Sequence, residues 1–261
     1  TIEYENTVLD KLYFKAMVGG SQEQYVEEST GATKIGLIDG NLTQIDAANG
    51  AASASGTLAD WAMRSFFGRL NFIWDDKYML EASLRRDGSS RFLPNKRWGN
   101  FPSVSFGWRL SEESFMATLR ESWLDNLKLR VSYGALGNNS VGNYDVYPVL
   151  TLGNYVLNNA LATGFYQGAI ANTNLSWEST HVTNFGVDFT LFNKFTGMVE
   201  IYSKLTKDIL IDLPAPYAHG MATLPKQNSA KVENKGIELS LGYNGKIGQD
   251  FSYNLSGNFT Y

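Results

Sequence analysis

The chain has 261 residues, a formal charge of -4 and a pI near 5.3. That balance argues against a nucleic-acid partner, which would want a basic face, and the absence of cysteine excludes disulfides and thiolate metal sites. No run of roughly 18 apolar residues occurs, which excludes a membrane-spanning helix but leaves open membrane strands of about 9–11 residues.

Period-two alternation runs from end to end. After "TIEYEN", the segment "LYFKAMV" sets Leu12, Phe14, Ala16 and Val18 on one side. "RSFFGRLNFIW" sets Phe66, Leu70, Phe72 and Trp74 against Phe67, Arg69 and Asn71. "YMLEASLRR" sets Leu80, Ala82 and Leu84 against Glu81, Ser83 and Arg85. "VSFGWRL", "LKLRVSYG", "NFGVDFTL", "TGMVEIYSKLTKD", "GIELSLGYN" and "DFSYNLSGNFTY" repeat the pattern, for about ten strands in all. The connections alternate in length. Short ones fall near Asp10, at 75–77, 192–195 and 245–249; long ones fall at 25–60, 88–100, 137–176 and 211–232. The stretch 111–126 lies on the short side, and Phe115, Leu119 and Trp123 predict a short amphipathic helix near 112–124, with its apolar stripe packed on the sheet end.

Short–long alternation is the signature of an up-and-down membrane barrel. A soluble β-sandwich also alternates apolar and polar residues. Three features favour the barrel. Several runs exceed the usual strand length. Trp74, Tyr78, Trp108, Tyr133, Phe192 and Phe195 cluster at strand ends as interfacial girdles do. Charged residues occupy mid-strand positions, as a wet lumen allows. The fold class expected is therefore all-β: an antiparallel up-and-down transmembrane β-barrel segment of about ten strands of a larger barrel. Leu80, Leu84, Phe106, Leu129, Val187, Leu239 and Leu255 should share the lipid face. Arg85, Arg109, Arg130, Asp188, Glu238 and Asn254 should share the other.

Residues that could carry chemistry are sparse. His181 and His219 lie far apart without metal-ligand spacing, and Asp75-Asp76 and Glu112-Glu113 are adjacent carboxylates that an extended chain points apart. The carboxylate pairs read as a turn and a helix start. No nucleophile elbow or phosphate-binding glycine loop occurs. The Asn-x-Ser/Thr triplets at Asn41, Asn138, Asn174, Asn254 and Asn258 follow from polar faces rich in these residues. No enzyme activity, cofactor or metal is expected. "RRDGSSRFLPNKRWGN" (85–100) has two readings: a substrate- or partner-facing loop using Arg91, Arg97 and Trp98, or a loop that folds against the barrel rim. Tyr144, Tyr147, Tyr155, Tyr166 and Tyr217 in the long loops could stack on sugars or pack on a lid protein, or pack on one another.

The strings "FGRLNFIWDDKYMLEASLRRDGSSRF", "RWGNFPSVSFGWRLSEESFM", "LDNLKLRVSYGALGNNSVGNY", "NLSWESTHVTNFGVDFTLF" and "KVENKGIELSLGYN" closely resemble the SusC/RagA family of TonB-linked outer-membrane transporters. The resemblance runs in family order over most of the chain. "GALGNN" departs slightly from the family's more usual Gly-x-Thr-Gly-Asn form. The resemblance implies a 22-stranded barrel enclosing an N-terminal plug. The whole of 1–261 would be part of the barrel domain, with the plug, the N-terminal domains and the last strands lying outside this sequence. Neither a signal peptide at "TIEYENTVLD" nor a finished pattern at "NLSGNFTY" is seen, in keeping with that expectation. The implied location is the outer membrane, in contact with its lipid. The implied partners are a SusD-like surface lipoprotein and the TonB system, and the implied substrate is an oligosaccharide or a peptide. The alternative function is that of a secreted β-sandwich carbohydrate-binding domain, which requires a buried apolar core.

Overall fold

A computed structural model describes residues 1–9, 11–168, 170–212, 214 and 224–261. Ten strands form one antiparallel sheet: β1 (Ile2–Val8), β2 (Leu12–Lys34), β3 (Ala52–Trp74), β4 (Tyr78–Ser89), β5 (Trp98–Arg109), β6 (Leu124–Asn138), β9 (Glu178–Leu191), β10 (Phe195–Ile211), β11 (Gln227–Ile247) and β12 (Phe251–Thr260). Between β6 and β9 the chain makes a separate hairpin, β7 (Leu150–Leu157) and β8 (Ala160–Gln167). Strand order follows the chain, as hairpin connections dictate.

The short connections are tight because their residues tolerate the left-handed region. Asp75 and Asp76 have φ of 51 and 52°, and together make the two-residue turn that matches strand twist. Phe192 and Asn193 do the same at 55 and 53°, where the ring side chain is the less accommodating residue.

Register decides sidedness. Phe14, Phe72, Leu80, Phe106, Val131, Phe185, Ile201 and Ile237 are successive cross-strand partners, so they form one row on one face. Leu84, Leu129, Val187, Leu239 and Leu255 share that face by the same pairings. The opposite face carries Asn71, Glu81, Ser105, Ser132 and Asn184 in one row, and Arg130, Gly186, Glu200 and Glu238 in the next. Its charges meet each other: Arg69 lies 3.8 Å from Glu81, and Arg130 lies 3.3 Å from Asp188 and 2.5 Å from Glu200. Pairing of this kind solvates charges on a wet wall more than it stabilises the fold.

A sandwich would bury the apolar row. Here Leu80 is 41%, Phe106 41% and Phe185 49% exposed. One sheet with an exposed apolar face and, among the described residues, no second layer packed on it overturns the sandwich alternative. That face needs lipid.

Rows also climb relative to the short turns. The row through Trp74 meets the very end of β3, but on β11 it passes through Leu239, with residues 240–247 still below it. This is a slip of about one to one and a half residues per strand. At about 3.3 Å per residue and 4.8 Å between strands, it tilts the strands by about 35–45°, as barrel closure demands.

Three expectations need correction. The short helix expected near 112–124 is present as α1 (Ala117–Arg120), preceded by 3-10 turns at Leu110–Glu112 and Ser114–Met116, but its apolar stripe is not packed as expected. Phe115 is 68% exposed, so the stripe is not packed on the sheet end. The connection at 25–60 is mostly strand, since β2 and β3 remain paired from Leu12↔Trp74 to Lys34↔Ala52. Their upper halves, such as "SQEQYVEESTGATK", show little large-apolar alternation because above the membrane both faces are wet. The connection at 137–176, expected as a long loop, carries the β7–β8 hairpin.

Candidate functional site at the long-loop end

The long connections build a compact cap on the sheet. Phe92 from the 90–97 loop, Val141 and Val146 from the loop after β6, and Leu175 before β9 form a buried cluster, with Leu93, Trp177 and Leu210 packed on it. The Trp177 ring lies 5.5 Å from Phe92 and edge-on to Phe101 at 5.4 Å, and its indole N–H donates to the Arg97 carbonyl at 2.9 Å. Gly137 makes this approach possible: a Cβ there would overlap the Phe101 ring.

Polar side chains then lace the loops to the strands. Arg91 donates through Nε to Asn143 Oδ1 at 2.9 Å, and its guanidinium lies 5.0 Å over the Trp61 ring. The Tyr144 hydroxyl donates to Asp60 Oδ1 at 2.7 Å and accepts from the Asp60 amide at 3.2 Å, so it satisfies an edge amide of β3 above the end of β4. Asn228 ties β11 to the chain before β9 through Ser176, accepting at Oδ1 and donating at Nδ2, both at 2.9 Å.

Beside the cluster lies a cavity of about 380 Å³, lined among others by Asn143, Tyr144, Asp145, Tyr147, Asp212 and Lys226. The structure thus brings Tyr144 and Tyr147 together, with Arg91 one hydrogen bond away through Asn143. Tyr155 and Tyr166 stand apart on the β7–β8 hairpin, 71% and 56% exposed. Tyr217 and His219 lie outside the described residues. Arg97 and Trp98 part company from Arg91. Trp98 pairs with Gly88 and stacks 6.1 Å from Phe66, on the face of the apolar rows.

Sequence reasoning missed Asn143, Asp145, Asp212 and Lys226. They sit in aperiodic loops, and only the fold of the cap brings them to one cavity. His181 accepts or shares a hydrogen bond with the Tyr133 hydroxyl at 2.8 Å on the lipid-side face. No metal-holding cluster of acidic or histidine side chains occurs among the described residues.

At the opposite end Glu113 ties the short side together. It accepts from the Tyr78 hydroxyl at 2.6 Å and from the Trp108 indole at 3.0 Å. These donors, Tyr78 first, hold its carboxyl below the usual value.

An apolar outer face, a charged inner face, staggered antiparallel strands and a capped long-loop end define a segment of outer-membrane β-barrel wall. The family described as TonB dependent receptor-like, beta-barrel matches residues 5–261, and the chain belongs to it. TonB-dependent receptor SusC of Bacteroides thetaiotaomicron is 35% identical over 206 residues, covering 76% of this chain and 20% of that protein. TonB-dependent receptor P39 of Formosa agariphila is 36% identical over 201 residues, covering 77% of this chain and 19% of its own length. The structure of the RagAB peptide transporter superposes with a TM-score of 0.88 at 31% identity, over 99% of this chain and 28% of that one. The siderophore receptor PirA of Pseudomonas aeruginosa, at 11% identity and a TM-score of 0.57, shares the fold. The chain therefore spans 19–28% of the length of these SusC- and RagA-type relatives. The family is one of outer-membrane receptors and transporters, not of enzymes.

Proposed function

We propose that this chain forms part of the wall of an energy-coupled importer of oligomeric nutrients, glycans or peptides. Residues 1–261 would be a portion of the barrel domain. A plug and further strands, supplied by other parts of the protein, would complete the channel. A SusD-like lipoprotein would cover the long-loop end, and TonB would act on the plug. The wall performs no covalent chemistry.

The observation that carries the reading is the cavity edged by Tyr144 and Tyr147 at the long-loop end, above an inner face lined with paired charges. Tyrosine rings offer flat apolar faces with a polar tip, which suits either a sugar ring or an extended peptide. The similarity to a structure named as a peptide transporter supports the peptide branch, and that to SusC supports the class.

The test is uptake by the complete transporter carrying Tyr144→Phe/Tyr147→Ala, in cells lacking the native copy. Initial uptake of a labelled oligopeptide or oligosaccharide panel should fall for one substrate class while surface levels stay normal. Unchanged uptake of every substrate the parent imports would remove these tyrosines from the substrate path.

A further inference from the structure

The outward face carries a depression separate from the cavity at the long-loop end. A depression of about 270 Å³ is lined among others by Gln22, Ala62, Arg64, Gly88, Arg97 and Trp98. It opens where Gln22, Arg64 and Trp98 share the face of the apolar rows. Gly88 leaves room for the Trp98 ring, which a Cβ there would meet at 2.9 Å.

Its charge is uncompensated. Arg64 donates from Nε and Nη2 to the neutral Gln22 Oε1, at 3.0 and 2.7 Å. Arg97 Nε is buried without a hydrogen-bond partner. Arg86, on the same face, lies 5.2 Å over the Trp98 ring. Among the described residues none of these three guanidinium groups is paired with a carboxylate. The nearby acids are engaged elsewhere: Asp60 by Tyr144 and Asp87 by Arg85.

Height fixes what can reach it. Trp74 marks the lower girdle on β3, and Arg64 lies farther up the same strand. At about 3.3 Å per residue and a tilt of about 35°, that separation is roughly 27 Å along the membrane normal. An apolar band of about 25 Å ends there. A cationic hollow with an indole shelf at that level meets lipid headgroups, not substrate in the lumen.

We propose that Arg64, Arg97 and Trp98, with Arg86 beside them, form a binding site for the phosphate of a phosphorylated glycolipid in the outer leaflet. Guanidinium forks suit phosphate oxygens, and the indole suits the sugar that carries the phosphate. The site would fix the barrel's height and rotation against its lipid.

The test uses the complete transporter purified in mild detergent, with native mass spectrometry as the readout and two probes: lipid A bearing its phosphate, and the same lipid dephosphorylated. The wild type should hold the phosphorylated lipid about tenfold or more tightly, the effect of one charge-assisted contact. Arg64→Ala/Arg97→Ala should abolish that preference, while Arg69→Ala on the inner face should keep it. Equal retention of both lipids by the wild type overturns the proposal, and needs no variant to fold. So does a preference that survives in the double variant. Displacement of the lipid by millimolar inorganic phosphate would show a free-phosphate site instead. Loss of the preference when the partner lipoprotein is stripped away would show a protein-docking surface.

Discussion

Leu239→Arg tests the assignment of faces and depth together. On β11 the lower girdle is marked by Tyr243, whose ring lies 4.7 Å from Phe195 and 5.9 Å from Tyr253. Leu239 stands on the same face one further turn of the alternation above Leu241. With about 3.3 Å per residue and a tilt near 35°, it lies roughly 11 Å above that girdle, close to the middle of a 25 Å apolar band. Lys235, on the same face, lies at roughly 22 Å, where a native cation pairs with Glu233 at 3.0 Å. An arginine at mid-depth on the lipid face costs about 2–4 kcal/mol, and one near the interface about 0–1. The assay is reversible urea unfolding of the complete barrel protein in lipid vesicles, comparing Leu239→Arg with Ser240→Arg. Ser240 pairs with Met198 on the inner face, where water meets the new charge, so its loss should stay below about 1 kcal/mol. Equal losses at the two positions would refute the face assignment, and a small loss at both would refute the depth.

Other perturbations follow from single contacts. Gly137→Val should destabilise by about 1–3 kcal/mol, because the Phe101 ring must leave its place against Trp177; an unchanged unfolding midpoint would show that the cap does not depend on this approach. Glu113→Gln should destabilise at neutral pH, since a carboxyl held below its usual value contributes stability above its unfolded pKa and loses it as pH falls through the folded one. The gap between wild type and variant should therefore close below about pH 4; a gap that persists at lower pH would mean that Tyr78 and Trp108 do not favour the ionised form. A polypeptide of residues 1–261 alone should restore no nutrient uptake to a strain lacking the transporter, because β1 and β12 are not paired with each other and open edges in lipid cost several kcal/mol per unsatisfied group; growth on that nutrient would sink the wall reading.

What the sequence made legible was whatever the bilayer imposes. Lipid on one side and water on the other force strict alternation, so the faces of Leu80, Phe106 and Ile237 follow from the alternation alone. Above the membrane that constraint lapses. Residues 23–34 and 52–62 are strand, yet Ser, Thr, Glu and Ala populate both faces and the segment reads as loop. The β7–β8 hairpin is hidden for the same reason, although Asn158 and Asn159, with φ of 49 and 63°, form a turn of a kind their sequence favours. The amphipathic spacing of Phe115, Leu119 and Trp123 located the short helix α1 but not the setting of its apolar stripe, since Phe115 is left exposed. In the candidate site, Tyr144 and Arg91 were visible as large side chains in long loops. Their partners Asp60, Trp61 and Asn143 were not, because those contacts join residues far apart in the chain.

The placement of the aromatic and cationic residues links these levels. Each strand crosses the apolar band at a different point of its sequence because the rows climb by about one to one and a half residues per strand. Trp74, Tyr78 and Trp108 therefore mark the lower boundary on β3 to β5, whereas Phe195, Tyr243 and Tyr253 mark it on β10 to β12. Counting about 22–27 Å upward from those markers reaches Arg64 on β3, Arg86 on β4 and Lys235 on β11, all on the outward face. Three cations from three separate strands thus arrive within about 5 Å of a common level, each just beyond an apolar row. A random scatter of outward polar residues would fall at all heights, and some would sit in the hydrocarbon, where a cation costs about 2–4 kcal/mol. The common level is what a flat boundary between lipid tails and headgroups selects, and it makes the tilt, the sidedness and the membrane position consequences of a single stagger.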